Sequence, residues 1–310
     1  MNRPGGDMSG AAMTNDEERG CAAAFFPGEI VGDCVLQKAH RIRDGRQEIW
    51  FAFDRKRNAP VVLKFIRDDH RNAAMAPALA EFLTHAQCRS LIRVLGTCHA
   101  GRFFAVELEY ASGGSLSARL KREGKLTFAQ TVHVMREVLF ALRELHRNGI
   151  VHRDVKSSNV WIADDGEIRL GDFGIARMEG FPEKGPDVFG TPSAMSPEQT
   201  LDTTKADART DFFSLSSMVF ELLTGRTRFP RAGLKKTGMF IRESRPEGLM
   251  RELQPFATMD FVRLLGWMAE REPGNRPPDA DAVLGELDSL HLPEVSLLPP
   301  ETPEKEIPAE

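Results

Sequence analysis

The sequence has few of the features that secreted or membrane-spanning proteins rely on. Its four cysteines, in 310 residues, show no C-x-x-C pairing, so neither a disulfide framework nor a cysteine metal site is predicted. No apolar run approaches the roughly 18 residues needed to span a bilayer, and residues 1–19 contain no apolar signal core. We therefore expect a soluble, cytoplasmic protein with reduced thiols.

An excess of charge of one sign is also lacking. The chain has 41 Lys and Arg against 45 Asp and Glu, a net charge of −4, so no overall basic field would draw it to nucleic acid or to an anionic membrane. Apolar residues make up 41%, enough for sizeable cores, and this length allows one large domain or two lobes that share a cleft. We expect no nucleic-acid partner and no membrane span.

Apolar periodicity is confined to the middle of the chain. Residues 1–27 lack it and are predicted to be a disordered leader, whereas residues 292–310 are rich in Pro and Glu and are predicted to be a flexible tail. Alternating side chains predict half-buried or buried strands at 49–54, 61–66 and 103–109, with Val62, Lys64 and Ile66 on one face. A helical stripe predicts a helix at about 73–87.

The second part is predicted to be helical. Apolar spacing favours helices at 127–147, 209–224, 258–269 and 279–290. Between the first two of these helices, residues 159–163 and 167–171 are predicted to be short strands joined at the turn Asp164-Asp165-Gly166. A strand-rich lobe, a hinge and a helix-rich lobe make an α+β chain.

Two short strings carry most of the chemical information. Residues 152–159 read HRDVKSSN, and residues 172–174 read DFG. They place a carboxylate, a lysine, a carboxamide and a second carboxylate on two loops joined by a short hairpin, a set that can position a hydroxyl, a γ-phosphate and Mg²⁺ together. These strings resemble the signatures of the protein kinase family, and the resemblance runs from about residue 31 to about residue 290.

The resemblance implies a bilobal protein-kinase fold at residues 28–291. Its N-lobe (about 28–108) would be an antiparallel β-sheet plus one main helix, its hinge would lie at about 109–114, and its C-lobe (about 115–291) would be mostly α-helical.

The resemblance also implies a catalytic role for five residues. Asp154 would act as the base near the attacking hydroxyl, and Lys156 would contact the γ-phosphate; a lysine at this position resembles the serine/threonine subclass. Asn159 and Asp172 would hold Mg²⁺, which prefers oxygen ligands and keeps several waters. Thr191 would bridge Asp154 and Lys156.

For ATP, the resemblance implies a strand lysine, Lys64, on the α- and β-phosphates, with Glu81 as its ion-pair partner. Adenine would hydrogen-bond to the hinge backbone and lie between apolar side chains. The remaining residues of this expected nucleotide site are Ile42, Ile49, Val62, Glu109, Ala111 and Trp161. For Trp161, simple core packing is an equal alternative to an adenine contact.

A further segment resembles the family's docking site for the substrate peptide, at residues 190–198. Its last residue, Glu198, would pair with Arg276 as a buried structural ion pair, and Asp211 would hold the backbone N–H groups of the catalytic loop.

The Gly-rich loop departs from the family pattern. Aligning Ile49 with the loop's terminal valine places Ile42, Asp44 and Gln47 at the three glycine positions. Glycines there let backbone N–H groups approach the phosphates. We therefore expect weaker ATP binding or a displaced loop.

The loop between Gly174 and Gly190 departs from the pattern as well, because it contains no Ser, Thr or Tyr. Family members with an arginine before the catalytic aspartate often use it to hold a phosphate on this loop. Here Arg153 has only Glu179, Glu183 and Asp187 available as anions. We hypothesise that one of these carboxylates takes the place of the phosphate.

The leading interpretation is a serine/threonine protein kinase of the bacterial type that uses ATP and Mg²⁺ and acts on proteins carrying Ser or Thr. The alternatives are a pseudokinase scaffold, favoured by the altered Gly-rich loop, and a small-molecule phosphotransferase, which the peptide-docking segment disfavours. A regulatory partner could bind through the tail.

Overall fold

The computed structural model describes residues 24–43, 47–183, 187–290 and 292 of the chain. Residues 1–23 of the predicted leader and the predicted tail beyond residue 292 lie outside the described residues. The described ranges form a strand-rich N-terminal lobe and a helix-rich C-terminal lobe, as the sequence predicts.

The N-terminal lobe, as far as it is described, is a six-stranded antiparallel sheet with one helix. Its strands are β1 (Ile30–Val31), β2 (Cys34–Arg43), β3 (Gln47–Asp54), β4 (Ala59–Arg67), β5 (Val94–Ala100) and β6 (Phe103–Glu109), and α1 spans Ala76–His85. The order across the sheet is β1-β2-β3-β4-β6-β5. The predicted strands are confirmed, and the predicted helix is shorter by a few residues at each end.

Alternation along β4 sorts its side chains between a core and a cleft. Leu63 and Phe65 are 2% and 0% exposed and pack with Trp50 of β3 in an apolar cluster on one face of the sheet. Val62 and Lys64 point to the other face, which lines the cleft between the lobes. The register places Lys64 opposite Ile49 of β3 and Val106 of β6, so three strands position the lysine.

The C-terminal lobe contains seven helices among the described residues. These are α2 (Leu116–Glu123), α3 (Phe128–Arg147), α4 (Arg209–Thr224), α5 (Gly233–Glu243), α6 (Pro246–Leu253), α7 (Met259–Met268) and α8 (Ala280–Ser289). Two small antiparallel sheets pair β7 (Ile150–Val151) with β10 (Arg177–Met178), and β8 (Val160–Ile162) with β9 (Ile168–Leu170). The predicted hairpin is confirmed, and Gly166 at its turn has φ 79°.

Helix α3 shows why its bounds were readable from the sequence. Thr127 and Gln130 form a capping box that satisfies backbone N–H groups at its start. One stripe of the helix is buried, with Val138, Leu139 and Leu142 each 0% exposed. Gly149, with φ 68°, follows its last turn. The sequence missed α2, α5 and α6, which are short and carry many polar residues.

A buried ion pair ties the predicted peptide-docking segment to the end of the domain. Arg276 is 3% exposed and donates two hydrogen bonds to the carboxylate of Glu198, Nη1 to Oε1 at 2.7 Å and Nη2 to Oε2 at 2.8 Å. Its remaining N–H groups donate to the carbonyls of Arg209, Glu270 and Arg271. The predicted pair is confirmed, and its donors are satisfied.

The described cysteines, Cys34, Cys88 and Cys98, are free thiols, whereas Cys21 lies outside the described residues. Burial raises the pKa of Cys34 to about 12, so this thiol stays protonated at neutral pH. None of the described helices is both long and apolar enough to cross a membrane.

We predict that Arg276→Ala lowers the free energy of unfolding by roughly 3–5 kcal/mol, because it leaves the Glu198 carboxylate without its partner. Arg263→Ala is the matched control, since Arg263 pairs with Asp260 at 2.7 Å on the surface, with both side chains about two-thirds exposed. That substitution should cost less than about 1 kcal/mol. Urea denaturation measures both losses, and equal losses would contradict the prediction.

Candidate active site

The catalytic loop is anchored by one buried carboxylate. Asp211, in the first turn of α4, is 0% exposed and accepts hydrogen bonds from the backbone N–H groups of His152, at 2.9 Å, and Arg153, at 2.7 Å. The ring Nε2 of His146 lies 2.8 Å from the same carboxylate. The predicted role of Asp211 in holding this loop is confirmed.

The ring of His152 connects the catalytic loop to the segment before Asp172. The N–H of Asp154 donates to Nδ1 of His152 at 3.2 Å, so that nitrogen is unprotonated and the proton lies on Nε2. Nε2 then donates to the carbonyl of Gly171 at 3.0 Å. The ring also packs 5.1 Å from the ring of Phe173. The two loops are therefore held at a fixed separation.

Two residues of these loops have a left-handed backbone conformation. Arg153 has φ 67° and Asp172 has φ 59°, in a region of backbone conformation that residues other than glycine rarely adopt. Each such residue costs on the order of 1–3 kcal/mol and persists only where its surroundings enforce it. For Arg153 the enforcing contact is the hydrogen bond to Asp211.

Asp154 is 6% exposed and its two carboxylate oxygens have different surroundings. Oδ2 accepts from Lys156 Nζ at 2.6 Å and from Asn159 Nδ2 at 3.1 Å. Oδ1 is buried and has no hydrogen-bond partner among the described residues. The two oxygens of this carboxylate therefore differ, because only Oδ2 is held by protein donors.

Thr191 reaches only one of the two residues that it was predicted to bridge. Lys156 Nζ donates to the Thr191 hydroxyl as well as to Asp154. No hydrogen bond joins Thr191 directly to Asp154. The lysine is therefore the bridge, because its ammonium group has three donors and can contact both side chains at once.

Asn159 and Asp172 present oxygens at the inner end of the cleft. Asn159 uses its Nδ2 to donate to Asp154, so its Oδ1, whose described contact is the Ser158 hydroxyl at 3.5 Å, faces away from that carboxylate. Among the described residues no three His, Cys, Asp or Glu side chains gather to hold a metal alone. One amide oxygen and one carboxylate fit Mg²⁺ bound mainly through water and phosphate oxygens.

The predicted ion pair between Lys64 and Glu81 is not formed, and this is a correction. Lys64 Nζ lies 3.0 Å from Asp172 Oδ1, whereas Glu81 is exposed on α1. The buried stripe of α1 includes Leu79 and Leu83, and this rotation of the helix turns Glu81 toward solvent. Because the Lys64 side chain is only 9% exposed, its charge requires a nearby anion, and Asp172 supplies it.

Arg41 is a site residue that the sequence analysis missed. Its Nη1 lies 3.4 Å from Asp172 Oδ2, so the Asp172 carboxylate lies between two cations. Arg41 pairs with Ile49 across β2 and β3, which puts it beside a residue assigned to the nucleotide site. The sequence could have pointed to Arg41, because this residue lies in the hairpin that stands in place of the Gly-rich loop.

The expected nucleotide residues converge on one narrow cleft. Ile49, Val62, Glu109, Ala111 and Trp161 all line a cavity of about 80 Å³, together with Lys64, Asn159 and Asp172. Drug-sized ligands occupy pockets of roughly 300–1,000 Å³. The cleft is therefore much smaller than a nucleotide requires.

The altered loop is described only at its ends. Gln47, at the third glycine position, is 4% exposed, and its amide lies near the backbone of Gly174. The side chain of Ile42 and the whole of Asp44, at the other two glycine positions, lie outside the described residues. The expected effect of this loop on ATP stays a prediction.

Glu183 is the partner of the arginine that precedes Asp154. Arg153 is buried, and its two terminal nitrogens bind the two carboxylate oxygens of Glu183; the Nη2–Oε2 distance is 2.8 Å. Asp187 in the same loop pairs instead with Arg71 at 3.1 Å. Of the three candidate anions, Glu183 is therefore the partner of Arg153.

Comparison with known proteins gives a consistent result. The family model "Protein kinase domain" matches residues 47–285. The serine/threonine-protein kinase PknL of Mycobacterium tuberculosis is 31% identical over 267 residues, which cover 82% of this chain and 65% of PknL. PknB of the same species is 30% identical over 295 residues, 89% of this chain and 44% of PknB. The serine/threonine-protein kinase pkn3 of Myxococcus xanthus is 28% identical over 247 residues, which cover 74% of this chain and 45% of pkn3. The chain thus spans 65% of the first relative and less than half of the other two.

We predict that Asp211→Asn lowers the free energy of unfolding by roughly 3 kcal/mol, because an amide offers one oxygen to three donors and turns its own N–H groups toward them. Asp281→Asn is the matched control: Asp281 also lies in the first turn of a helix, but it is exposed and pairs with Arg147 at 2.8 Å. The control should lose less than about 1 kcal/mol. Chemical denaturation of both variants makes the comparison, and a smaller loss for Asp211→Asn than for the control would refute it.

Proposed function

The chain belongs to the protein kinase family, and we propose that it is a serine/threonine kinase that transfers the γ-phosphoryl group of Mg·ATP to Ser and Thr hydroxyls of proteins. The observation that carries this proposal is the Asp154 carboxylate, which has one oxygen bound by Lys156 and Asn159 and the other buried without a partner. A scaffold without catalysis has no physical need for Lys64, Asp154, Asn159 and Asp172 all to be present.

The acceptor hydroxyl would donate a hydrogen bond to the Asp154 carboxylate. As the hydroxyl oxygen bonds to the γ-phosphorus and the bond from that phosphorus to ADP breaks, the carboxylate would take the hydroxyl proton. Lys156 Nζ, beside Asp154 and Thr191, would donate to an oxygen of the transferred group. Phosphoryl transfer depends mainly on such positioning and on electrostatic stabilisation. The lysine therefore supports the aspartate and neutralises developing charge at the same time.

Asn159 and Asp172 would hold Mg²⁺ and Lys64 would contact the α- and β-phosphates. When bound, Mg²⁺ would offset the negative charge of the phosphates during transfer. Asp172 is already oriented for this role by the two cations beside it, Lys64 at 3.0 Å and Arg41 at 3.4 Å.

Nucleotide binding would require the cleft to widen. The cavity of about 80 Å³ is too small for ATP, and Arg41 and Lys64 both contact the carboxylate that would hold the metal. Lys64 would turn from Asp172 to the α- and β-phosphates of a bound nucleotide.

The loop that contains Glu183 would be ordered without phosphorylation. The two-point contact between Glu183 and the buried Arg153 has the geometry in which arginine binds a carboxylate or a phosphate. A second contact, Arg71 with Asp187, holds the loop against the segment before α1. These carboxylates are part of the sequence and need no modifying enzyme, so the loop would not depend on an activating kinase.

The free thiols of the described cysteines fit the cytoplasmic location predicted from the sequence. The segment at 190–198, held by the Glu198–Arg276 pair, would dock the substrate peptide.

Transfer of phosphate from Mg·[γ-³²P]ATP to the protein itself and to a generic basic protein tests the proposed function. Asp154→Asn should lower the rate by a factor of about 10²–10⁴, the usual contribution of a positioned base. Asp260→Asn, an exposed carboxylate remote from the cleft, should keep the wild-type rate. A wild type that neither transfers phosphate nor binds nucleotide by thermal shift would indicate a scaffold instead.

We further predict that Glu183→Gln lowers kcat/KM roughly tenfold, because an amide cannot form the charged two-point contact with Arg153. Glu179→Gln is the control: this carboxylate lies in the same loop, beside Gly149, and its substitution should have little effect. Activity that rises with phosphorylation of Thr191, Ser193 or Ser196, followed by mass spectrometry, would show that the glutamate does not replace a phosphate.

A further inference from the structure

A second and larger cavity opens beside the catalytic loop. It has a volume of about 440 Å³ and lies between Lys156, the segment that begins at Thr191, helix α4 and the loop after α4. We name it the α4 cavity. Because Lys156 and Thr191 form part of its wall, a chain that presents a hydroxyl to Asp154 would pass along it.

The charged side chains that line the α4 cavity are mostly basic. The four cations are Lys121, Lys156, Arg228 and Arg231, and Glu221 is the one carboxylate among the lining residues. Lys156 is committed to the catalytic set. The other three cations have no place in the reaction described above, although two of them, Lys121 and Arg231, lie at the exposed rim.

The single carboxylate of the cavity is already engaged. Glu221 accepts a hydrogen bond from the Ser157 hydroxyl at 2.7 Å and lies 3.7 Å from Arg231. Its charge is therefore shared with a cation that is itself 72% exposed. The other basic residue on this loop, Arg228, receives no comparable partner.

Arg228 is held in place by aromatic rings and one hydroxyl. Its Cζ lies 4.8 Å from the ring centroid of Phe229 and 5.1 Å from that of Phe213, and its Nη1 donates to the Ser217 hydroxyl at 3.4 Å. Across the described ranges, no carboxylate comes within ion-pair distance of its guanidinium group. Burial lowers the pKa of Arg228 to about 9, with a small opposing effect of Glu252, so it remains a cation at neutral pH.

A half-buried cation is costly when no carboxylate of the described residues lies within ion-pair distance, and the protein keeps this one beside the catalytic loop. A guanidinium group presents planar pairs of N–H donors that match carboxylate and phosphate oxygens. The rings of Phe213 and Phe229 restrict the side chain, so little conformational freedom remains to be lost when an anion binds. These features describe a site for an anion rather than a purely structural contact.

We propose that the α4 cavity binds an anionic side chain of the substrate protein, a carboxylate or a phosphorylated residue, and that Arg228 selects it. This inference rests on the proposed kinase activity and specifies its substrate class. A basic side chain at the same position would meet four cations and one already paired carboxylate, and like charges at close range oppose binding.

A set of synthetic peptides tests the proposal. Each peptide has one central serine among neutral residues, and one flanking position at a time is Asp, Asn, Lys or phosphoserine. Arg228→Met removes the charge but keeps an apolar chain against the rings, and Arg228→Lys keeps the charge. Arg226→Met is the matched control, because Arg226 stacks on Phe220 and pairs with Glu252 outside the cavity lining.

At one flanking position we expect the wild type to favour Asp over Asn about tenfold in kcat/KM, the factor that about 1.4 kcal/mol of transition-state stabilisation gives. Arg228→Met should remove this preference, so that the Asp and Asn peptides give equal kcat/KM values. Arg228→Lys should retain part of the preference and Arg226→Met all of it. Phosphoserine preferred over Asp would identify phosphate as the selected anion, and the reverse order a carboxylate.

Equal rates for Asp, Asn and Lys at every position would overturn the proposal, as would an acid preference that persists in Arg228→Met. Affinities for the same peptides with alanine at the central position, measured by fluorescence anisotropy, separate this result from the kinase activity. If the Asp peptide binds more tightly than the Asn peptide in the wild type but not in Arg228→Met, and no phosphate is transferred, the anion site is supported and the kinase activity is refuted. Transfer to neutral and basic peptides at equal rates would keep the activity and refute the anion site.

Discussion

A carboxylate at the start of α4 accepts hydrogen bonds from the backbone of the catalytic loop and from a histidine ring, and the rest of the site is built on those contacts. Asp211 holds His152 and Arg153 by their N–H groups and keeps Arg153 in a left-handed conformation that it would not adopt freely. His152 then reaches the carbonyl of Gly171, just before Asp172, so one buried charge orders both loops. Because a buried carboxylate is stable only when its hydrogen bonds are complete, loop geometry and fold stability depend on the same atoms.

The ion pairs in the cleft differ from the expected pair of Lys64 with Glu81. Lys64 and Arg41 share Asp172, and Glu81 remains in solvent on α1. Each cation lowers the cost of burying the Asp172 carboxylate. In our interpretation, the replacement of the Gly-rich loop is accompanied by an arginine in the same hairpin, which supplies a side-chain donor where backbone N–H groups would otherwise be used.

Carboxylates occupy positions where regulation by phosphate would be expected. Glu183 binds Arg153 on both terminal nitrogens, and Asp187 binds Arg71. In the α4 cavity the unpaired charge is positive instead. Arg228 donates to the Ser217 hydroxyl and has no carboxylate within ion-pair distance among the described residues, whereas Glu221 is already paired with Arg231. Together these contacts suggest a kinase that is ordered by its own acidic residues and directed to acidic partners.

The sequence by itself determined the two-lobed α+β architecture, the strands β4 and β6, the helix α3 and the convergence of Asp154, Asn159 and Asp172, because these follow from periodicity, capping and short spacings along one hairpin. It also indicated the Glu198–Arg276 pair, through the resemblance. Only the tertiary structure decided that Lys64 contacts Asp172 and that Arg228 has no carboxylate within ion-pair distance in the part of the chain that the structure describes. Such pairings depend on the rotation of a helix and the approach of distant loops within a few ångströms, which no local pattern encodes.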